Sequence, residues 1–342
     1  MDKLHIALIA DPEIPVPPSH YGGIERIINY LITELQQRGH SVSLFAHPDS
    51  KTSADNFYPY KSTKQSPAGI IQNTLNISRL LFKRPDIVHS FGRLAYLSAL
   101  LPSGIPKIMS YQREPTISQI KKAVSLSVKS SLMFTGCSNY ISNQIAPFAK
   151  AAAVYNCISL ADYHFCESVA QDAPLVFLGR IEAIKGTYDT IQVAKQSNRK
   201  LIIAGNVPDY AQAYFDENVA PYVDGEQITY IGPVNDAQKN ELLGKAAALL
   251  MPVKWNEPFG IVMAEALACG TPVIGLKGGA TTEVVIDNMN GFICNDINHM
   301  IAAVKNIASI DRKACRDDAE QRFSSGVIAG QYENLYLQMI QQ

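Results

Sequence analysis

Residues 4–46 read LHIALIADPEIPVPPSHYGGIERIINYLITELQQRGHSVSLFA. The apolar run 4–10 has the length and composition of a buried strand, and it halts at Asp11-Pro12. Further on, Ile24, Ile27, Ile28, Leu31, Ile32 and Leu35 fall on one stripe at helical spacing, and Arg38-Gly39-His40 ends the stripe. Residues 41–46 then form a second strand. Strand, helix, strand in immediate succession predicts two parallel neighbours joined by a crossover. Working outward, the same grammar predicts strands at 86–89, 106–110, 132–136 and 151–155, and in the second half at 175–179, 200–204, 227–231, 248–253 and 272–275. The fold class is therefore α/β, with two Rossmann-like, doubly wound domains whose strand ends face a central cleft. Polar sequence with Pro and Asp but no sustained period occupies 157–173. The expected division is a first domain over 1–165, a second over 173–324, and a terminal helix over 325–342 long enough to return to the first.

Composition narrows the function. The chain has 342 residues, 47% of them hydrophobic and 18% charged, so it can bury two cores. Its net charge of −1 supplies no global field for nucleic acid. The charge is unevenly spread: residues 1–170 hold 16 basic and 11 acidic side chains, the remainder 14 and 20. The six cysteines form no C-x-x-C pair and have no histidine at ligand spacing, which argues against a disulfide framework and a zinc site. No run of 18 apolar residues exists, and the first apolar run lacks the flank of a signal peptide, so a cytoplasmic location is expected.

The chemistry concentrates in residues 251–275, MPVKWNEPFGIVMAEALACGTPVIG. A strand runs into a polar loop carrying Glu257, Pro258-Phe259-Gly260 makes a tight entry, and a helix starts near Ile261. Free N–H groups and the positive end of the helix dipole make that start an anion site. Glu257 and Glu265 can flank a phosphate held there and accept hydrogen bonds from sugar hydroxyls. Upstream, Phe-Leu-Gly-Arg180-Ile-Glu-Ala-Ile-Lys185-Gly brings two cations from a strand end and the next helix start, suited to the charge of a departing diphosphate.

Glu257-x7-Glu265 around Pro-Phe-Gly, followed by Ala-Cys-Gly-Thr-Pro-Val-Ile, resembles the donor-site signature of glycosyltransferase family 4, retaining enzymes of the GT-B fold. The resemblance extends over most of the chain. It implies that Glu257 contacts donor-sugar hydroxyls, Glu265 the ribose, and the amides around Gly260, Ile261 and Val262, entered through Phe259, the diphosphate. It likewise implies charge-stabilising roles for Arg180 and Lys185, a donor-side loop at Gly22-Gly23, and a donor-side acid at Glu283 after Gly278-Gly279. Backbone groups at Ile231 are expected to hold the base. The cleft histidine of many members is missing after strand 106–110, where the sequence reads Ser110-Tyr111-Gln112-Arg113-Glu114. This leaves Gln112, Arg113 and His89 as acceptor-side candidates.

The resulting expectation is a retaining hexosyltransferase that moves a sugar from a nucleotide sugar, UDP-linked for preference, to an acceptor hydroxyl in polysaccharide or glycolipid biosynthesis. It would need no metal and no cofactor beyond its co-substrate. A carbohydrate or lipid-linked acceptor is implied, with peripheral membrane contact through Lys121, Lys122 and Lys129, and no nucleic-acid partner. A nucleotide-sugar epimerase of the same fold and a non-catalytic donor-binding subunit are the alternatives.

Overall fold

A computed structural model describes residues 3–18, 22–128 and 130–341. The first elements in chain order are β1 (His5–Ile9), α1 (Gly23–Gln37), β2 (Ser41–Ala46), β3 (Asn56–Pro59), α2 (Pro67–Ile77), α3 (Leu80–Lys83), β4 (Ile87–Ser90), β5 (Lys107–Tyr111), α4 (Ile117–Leu126), β6 (Leu132–Gly136), α5 (Asn139–Ile145) and β7 (Ala151–Ala153). There follow β8 (Leu175–Leu178), α6 (Thr187–Gln196), β9 (Leu201–Ala204), α7 (Gln212–Asn218), β10 (Ile228–Tyr230), α8 (Asp236–Gly244), β11 (Ala248–Met251) and α9 (Ile261–Ala268). Last come β12 (Val273–Leu276), α10 (Thr281–Val284), β13 (Gly291–Cys294), α11 (Ile297–Asn306), α12 (Arg312–Phe323) and α13 (Ser325–Ile340).

The chain divides into two compact units, Met1–Cys157 with Ser325–Gln342, and Ile158–Ser324. Residues 158–165, assigned on sequence to the first domain, thus go with the second. The reason lies in their contacts. The Tyr163 hydroxyl donates to Glu265, the Cys166 amide donates to the Cys269 carbonyl at 3.0 Å, and Arg312 donates to the Cys166 carbonyl at 2.7 Å.

In the first unit seven parallel strands lie in the order β3-β2-β1-β4-β5-β6-β7. β1 pairs with β2 through Ile9↔Phe45 and with β4 through Ile9↔Ser90, so strand order reverses between β1 and β4 and opens a crevice at their carboxyl ends. The stripe predicted for α1 is its core face: Ile27, Ile28, Leu31, Ile32 and Leu35 are all buried. α13 packs on α1 and β4 of this unit. Its Glu333 accepts hydrogen bonds from Arg38 (2.9 Å) and lies 2.9 Å from His40 Nε2, while Tyr332 and Tyr336 stack into the core beside His89.

The second unit has six parallel strands in the order β10-β9-β8-β11-β12-β13. Order reverses here between β8 and β11, which places the segment after β8, with Arg180 and Lys185, and the loop after β11, with Glu257, at one switch point. All six cysteines are free. No helix among the described residues is long and apolar enough to cross a membrane.

Candidate functional site

The site of the second unit is built on the start of α9. Gly260 precedes the helix at φ +72°, in the left-handed region, and no side chain caps the first turn. A Cβ at this position would come within 2.8 Å of Met263 Cε, so glycine suits both the conformation and the space. The backbone amides of Ile261 and Val262 begin a helix whose interior is wholly apolar or buried, and the dipole favours an anion at their end. Phe259 is buried, its ring edge-on to Phe323 at 5.7 Å, so it anchors the loop from beneath and its ring is withdrawn from any ligand.

Glu257 is held by two donors at one carboxylate oxygen. Lys185 Nζ donates to its Oε2 at 2.5 Å, Trp255 Nε1 donates to the same oxygen at 3.0 Å, and Lys185 lies 5.2 Å from the Trp255 ring centroid. Its backbone is clamped by the Gly278-Gly279 loop: Ala280 N–H donates to the Glu257 carbonyl at 2.8 Å and Gly279 N–H to Asn256 Oδ1 at 3.1 Å. The turn carrying Lys185 is held in place by the Lys254 amide, which donates to the Ile184 carbonyl at 2.8 Å, and by Gly186, whose φ of +74° lets it lie against the Pro252 carbonyl. Lys185 and Glu257, 72 residues apart in sequence, are therefore brought together by backbone stitching on both sides.

Glu265 is one turn into α9 and nearly buried, at 5% exposure. Lys239 of α8 donates to its Oε1 at 2.6 Å and the Tyr163 hydroxyl donates to the same oxygen at 2.7 Å. Both partners bear on one carboxylate oxygen, which leaves Oε2 to receive further hydroxyls. Arg180 forms an ion pair with Glu182 at 2.9 Å, and Tyr210 donates to the other Glu182 oxygen at 2.8 Å. Ile231 follows β10 and is half exposed, beside Gly232, whose carbonyl accepts from Gly205 at 2.8 Å. Glu283 lies on the short α10, half-buried, with its carbonyl bonded by Arg322.

Sequence reasoning overlooked Tyr163, Lys239 and Trp255. Lys239 and Tyr163 come from chain segments remote from the signature, and the only available signal was a lysine one turn into a helix whose cap, Asn235 with Gln238, forms a capping box.

In the first unit, Gly22 precedes α1 with extended backbone, and a Cβ there would come within 2.6 Å of Pro18 Cβ and 3.0 Å of Glu25 Oε2. Gly23 has open space around it. Tyr21 lies outside the described residues. Beneath this turn Glu25 is buried, which, with the charges of Asp11 and Glu13 adding to the effect, raises its pKa to about 7 against a bond to its own amide.

His89 is a correction. It is completely buried, its Nδ1 is 2.7 Å from the Tyr336 hydroxyl and its Nε2 2.7 Å from Ser110 Oγ, and burial lowers its pKa to about 3. Both ring nitrogens are committed to the core, so it is a structural histidine and has no atom for an acceptor. Gln112 is half-buried and Arg113 exposed on the segment after β5. Asp11, just past β1, has its pKa raised by burial against the opposing charges of Arg113 and Arg93. Asp11 Oδ1, Arg93 Nε and the Tyr111 hydroxyl are buried and make no hydrogen bond to a described residue. They mark the β1/β4 switch point as the polar end of the first sheet, and Asp11 and Arg93 are further residues that the sequence pattern did not single out.

Two doubly wound parallel-sheet domains with this helix start define a glycosyltransferase of the GT-B type. The chain carries two glycosyltransferase domains: residues 21–158 match the family described as Glycosyltransferase Family 4, and residues 167–322 match Glycosyl transferases group 1. It is 24% identical to the glycogen synthase of Mycobacterium tuberculosis over 370 residues, covering 90% of this chain and 88% of the relative. Among solved structures it is similar to AviGT4, a glycosyltransferase involved in avilamycin A biosynthesis, at TM-score 0.73 and 25% identity over 99% of this chain and 98% of that one. The Anabaena protein HepE, solved in complex with UDP-glucose, shares the fold at TM-score 0.73 and 17% identity, with 98% and 100% of the two chains covered.

Proposed function

We propose that this glycosyltransferase takes a UDP-hexose as donor and transfers the hexosyl unit, with retention, to a hydroxyl of a carbohydrate or lipid-linked carbohydrate during polysaccharide or glycolipid synthesis. The observation that carries the reading is the pair of buttressed carboxylates, Glu257 on Lys185 and Glu265 on Lys239 and Tyr163, on either side of the uncapped start of α9. The names of HepE's ligand and of the mycobacterial polymer synthase support the choice of donor and acceptor class.

In this reading the diphosphate lies on the amides of Gly260, Ile261 and Val262. Arg180 and Lys185 take up the charge that builds as the sugar–phosphate bond breaks. Each of these cations is held by a carboxylate, Glu182 and Glu257 respectively, which positions it for a phosphate to compete for. Glu257 then accepts from sugar hydroxyls and Glu265 Oε2 from the ribose. Ile231 backs the base, and Glu283 stands on the donor side. The departing phosphate takes the proton of the acceptor hydroxyl on the same face, a step that requires no protein nucleophile. Gln112 and Arg113, with Asp11 beside them, receive the acceptor.

Thermal unfolding with UDP tests the donor site. At one hundred times its Kd, UDP should add about 2.7 kcal/mol of stability, and the shift should persist in EDTA because fixed cations and amides supply the compensating charge. Absence of a shift, or its loss on chelation, refutes the metal-independent UDP reading.

A further inference from the structure

Arg180 and Lys185 are each paired with a carboxylate, but the two pairs are made differently. Lys185 donates a directed hydrogen bond to Glu257 at 2.5 Å. Arg180 Nη2 lies 2.9 Å from Glu182 Oε1, yet Oε1 is buried and accepts no hydrogen bond from a described residue, so this pair is held by charge alone. The directed bond to Glu182 comes from elsewhere: the Tyr210 hydroxyl donates to Oε2 at 2.8 Å. Glu182 is 7% exposed, and water can do little for its charge, whereas Tyr210 stands 72% exposed.

Backbone stitching brings the two side chains together. The segments that leave β8 and β9 run side by side: Gly179 N–H donates to the Ala204 carbonyl and Ile181 N–H to the Asn206 carbonyl, each at 3.0 Å. Gly205, at φ +144°, makes this approach possible, since a Cβ there would come within 1.8 Å of the Gly179 carbonyl oxygen. The chain then turns through Asp209–Ala211 into α7, which sets Tyr210 against Glu182. Glu182 in turn opens the short helical turn Ala183–Lys185, and its carbonyl accepts from the Lys185 amide at 3.1 Å. The bond to Glu182 raises the Tyr210 pKa, so the hydroxyl stays a proton donor at neutral pH.

We propose that Tyr210 is a positioning residue for the donor: it holds Glu182 when Arg180 turns to the diphosphate, and so sets how readily the guanidinium leaves one anion for the other. This rests on the donor reading given above, in which Arg180 meets the diphosphate. A buried carboxylate resists losing its cation unless another donor stays on it. Tyr210 is that donor. Without its hydroxyl, Glu182 has Arg180 as its only side-chain partner among the described residues and holds it back from a phosphate. Without the charge on Glu182, nothing in this trio competes with the diphosphate for Arg180. The two changes therefore move UDP affinity in opposite directions. All three residues belong to the second unit; the lysines of the 121–129 segment take no part, Lys121 being folded over the Phe148 ring at 4.5 Å and Lys129 lying outside the described residues.

Calorimetric titration of UDP into the full chain and its variants is the test. Tyr210→Phe keeps the ring and removes the hydroxyl, and should weaken UDP by about fivefold or more at unchanged thermal midpoint, the ring being exposed. Glu182→Gln should bind UDP about threefold or more tighter than the parent, because a neutral amide ends a pair held by charge. Tyr210→Phe combined with Glu182→Gln should match Glu182→Gln alone, the second change rescuing the first, which a merely structural role for Tyr210 would not allow. Arg180→Ala should weaken UDP by about tenfold or more. Parental affinity in Arg180→Ala, or no binding of UDP by the parent, overturns the donor reading and this proposal with it. A weakened Arg180→Ala beside unaltered affinity in Tyr210→Phe overturns the proposal alone, as do a weakened Glu182→Gln and a Tyr210→Phe loss that persists in the double variant.

Discussion

Glu257 and Glu265 are chemically identical side chains placed in different company, and their substitution by Gln separates the two roles. Glu257 shares one oxygen with Lys185 and the indole of Trp255; Glu265 shares one with Lys239 and a tyrosine. Gln keeps the size and removes the charge, so each variant loses charge-assisted hydrogen bonds worth about 1.5–3 kcal/mol apiece. Glu257→Gln is expected to bind free UDP normally and to turn over UDP-sugar poorly, because in this reading the sugar is the only part of the donor that Glu257 contacts, and Gln can still accept from Lys185 and Trp255. Glu265→Gln should weaken UDP and UDP-sugar alike, by about tenfold or more. Calorimetric titration of UDP into both variants decides it, and the reverse pattern would invert the donor's orientation. The two glutamates, Gly260 and the Arg180/Lys185 pair were legible in sequence because each occupies a fixed offset from a strand end. Lys239, Tyr163 and Trp255 were not, since a buttress needs only reach and a donor, and many positions in a chain could provide both. His89 misled for the opposite reason: its place at a strand end was read correctly, but the α13 tyrosines that bury it come from some 240 residues downstream.

At the scale of elements, loops meet through glycines where a side chain would force them apart. Gly279 has φ +48°, and a Cβ there would come within 2.5 Å of the Glu257 carbonyl and 2.6 Å of its amide nitrogen. Both are backbone atoms, which no rotamer change can move aside. Gly279→Ala is therefore expected to cost about 1–3 kcal/mol through strain and displacement of the 256–258 loop. UDP-sugar turnover should fall with it, because Glu257 rides on that loop. Thermal unfolding and steady-state kinetics together check this, and unchanged values in both would show that the loop has slack. The strand pattern was read nearly complete, with boundaries displaced by a residue or two, except for β3 and β13. Each lies at an edge of its sheet. β3, Asn-Phe-Tyr-Pro, is half-exposed and ends on proline, and β13 is four residues opened by a glycine, so neither carries the continuous apolar run by which the central strands announce themselves.

Across the whole molecule, composition disclosed the size and the absence of a global basic field. Folding stability as a function of pH is instead a property of the assembled first unit, to which two buried groups contribute with opposite sign. His89 has an ordinary pKa of 6.5 and a folded value of about 3, the consequence of its burial. Between those values the unfolded chain binds a proton that the native state refuses, so stability falls as pH drops below 6.5, by up to about 1.4 kcal/mol per pH unit. Glu25 goes from 4.5 to about 7, burial being the chief cause. Between those values the native state holds a proton that the unfolded chain has released, so its contribution is complete below 4.5 and is lost as pH rises through 7, with the same limiting slope. From 4.5 to 6.5 the two slopes oppose each other and largely cancel. Glu25→Gln removes one and should make stability rise with pH across that window, relative to the parent. His89→Gln removes the other and should make it fall. Each variant also carries a constant offset from its lost packing and hydrogen bonds, which leaves the slope untouched. Urea unfolding at several pH values between 4.5 and 6.5 reads that slope directly, and variants that kept the parental slope would mean that neither group titrates differently in the folded and unfolded chains.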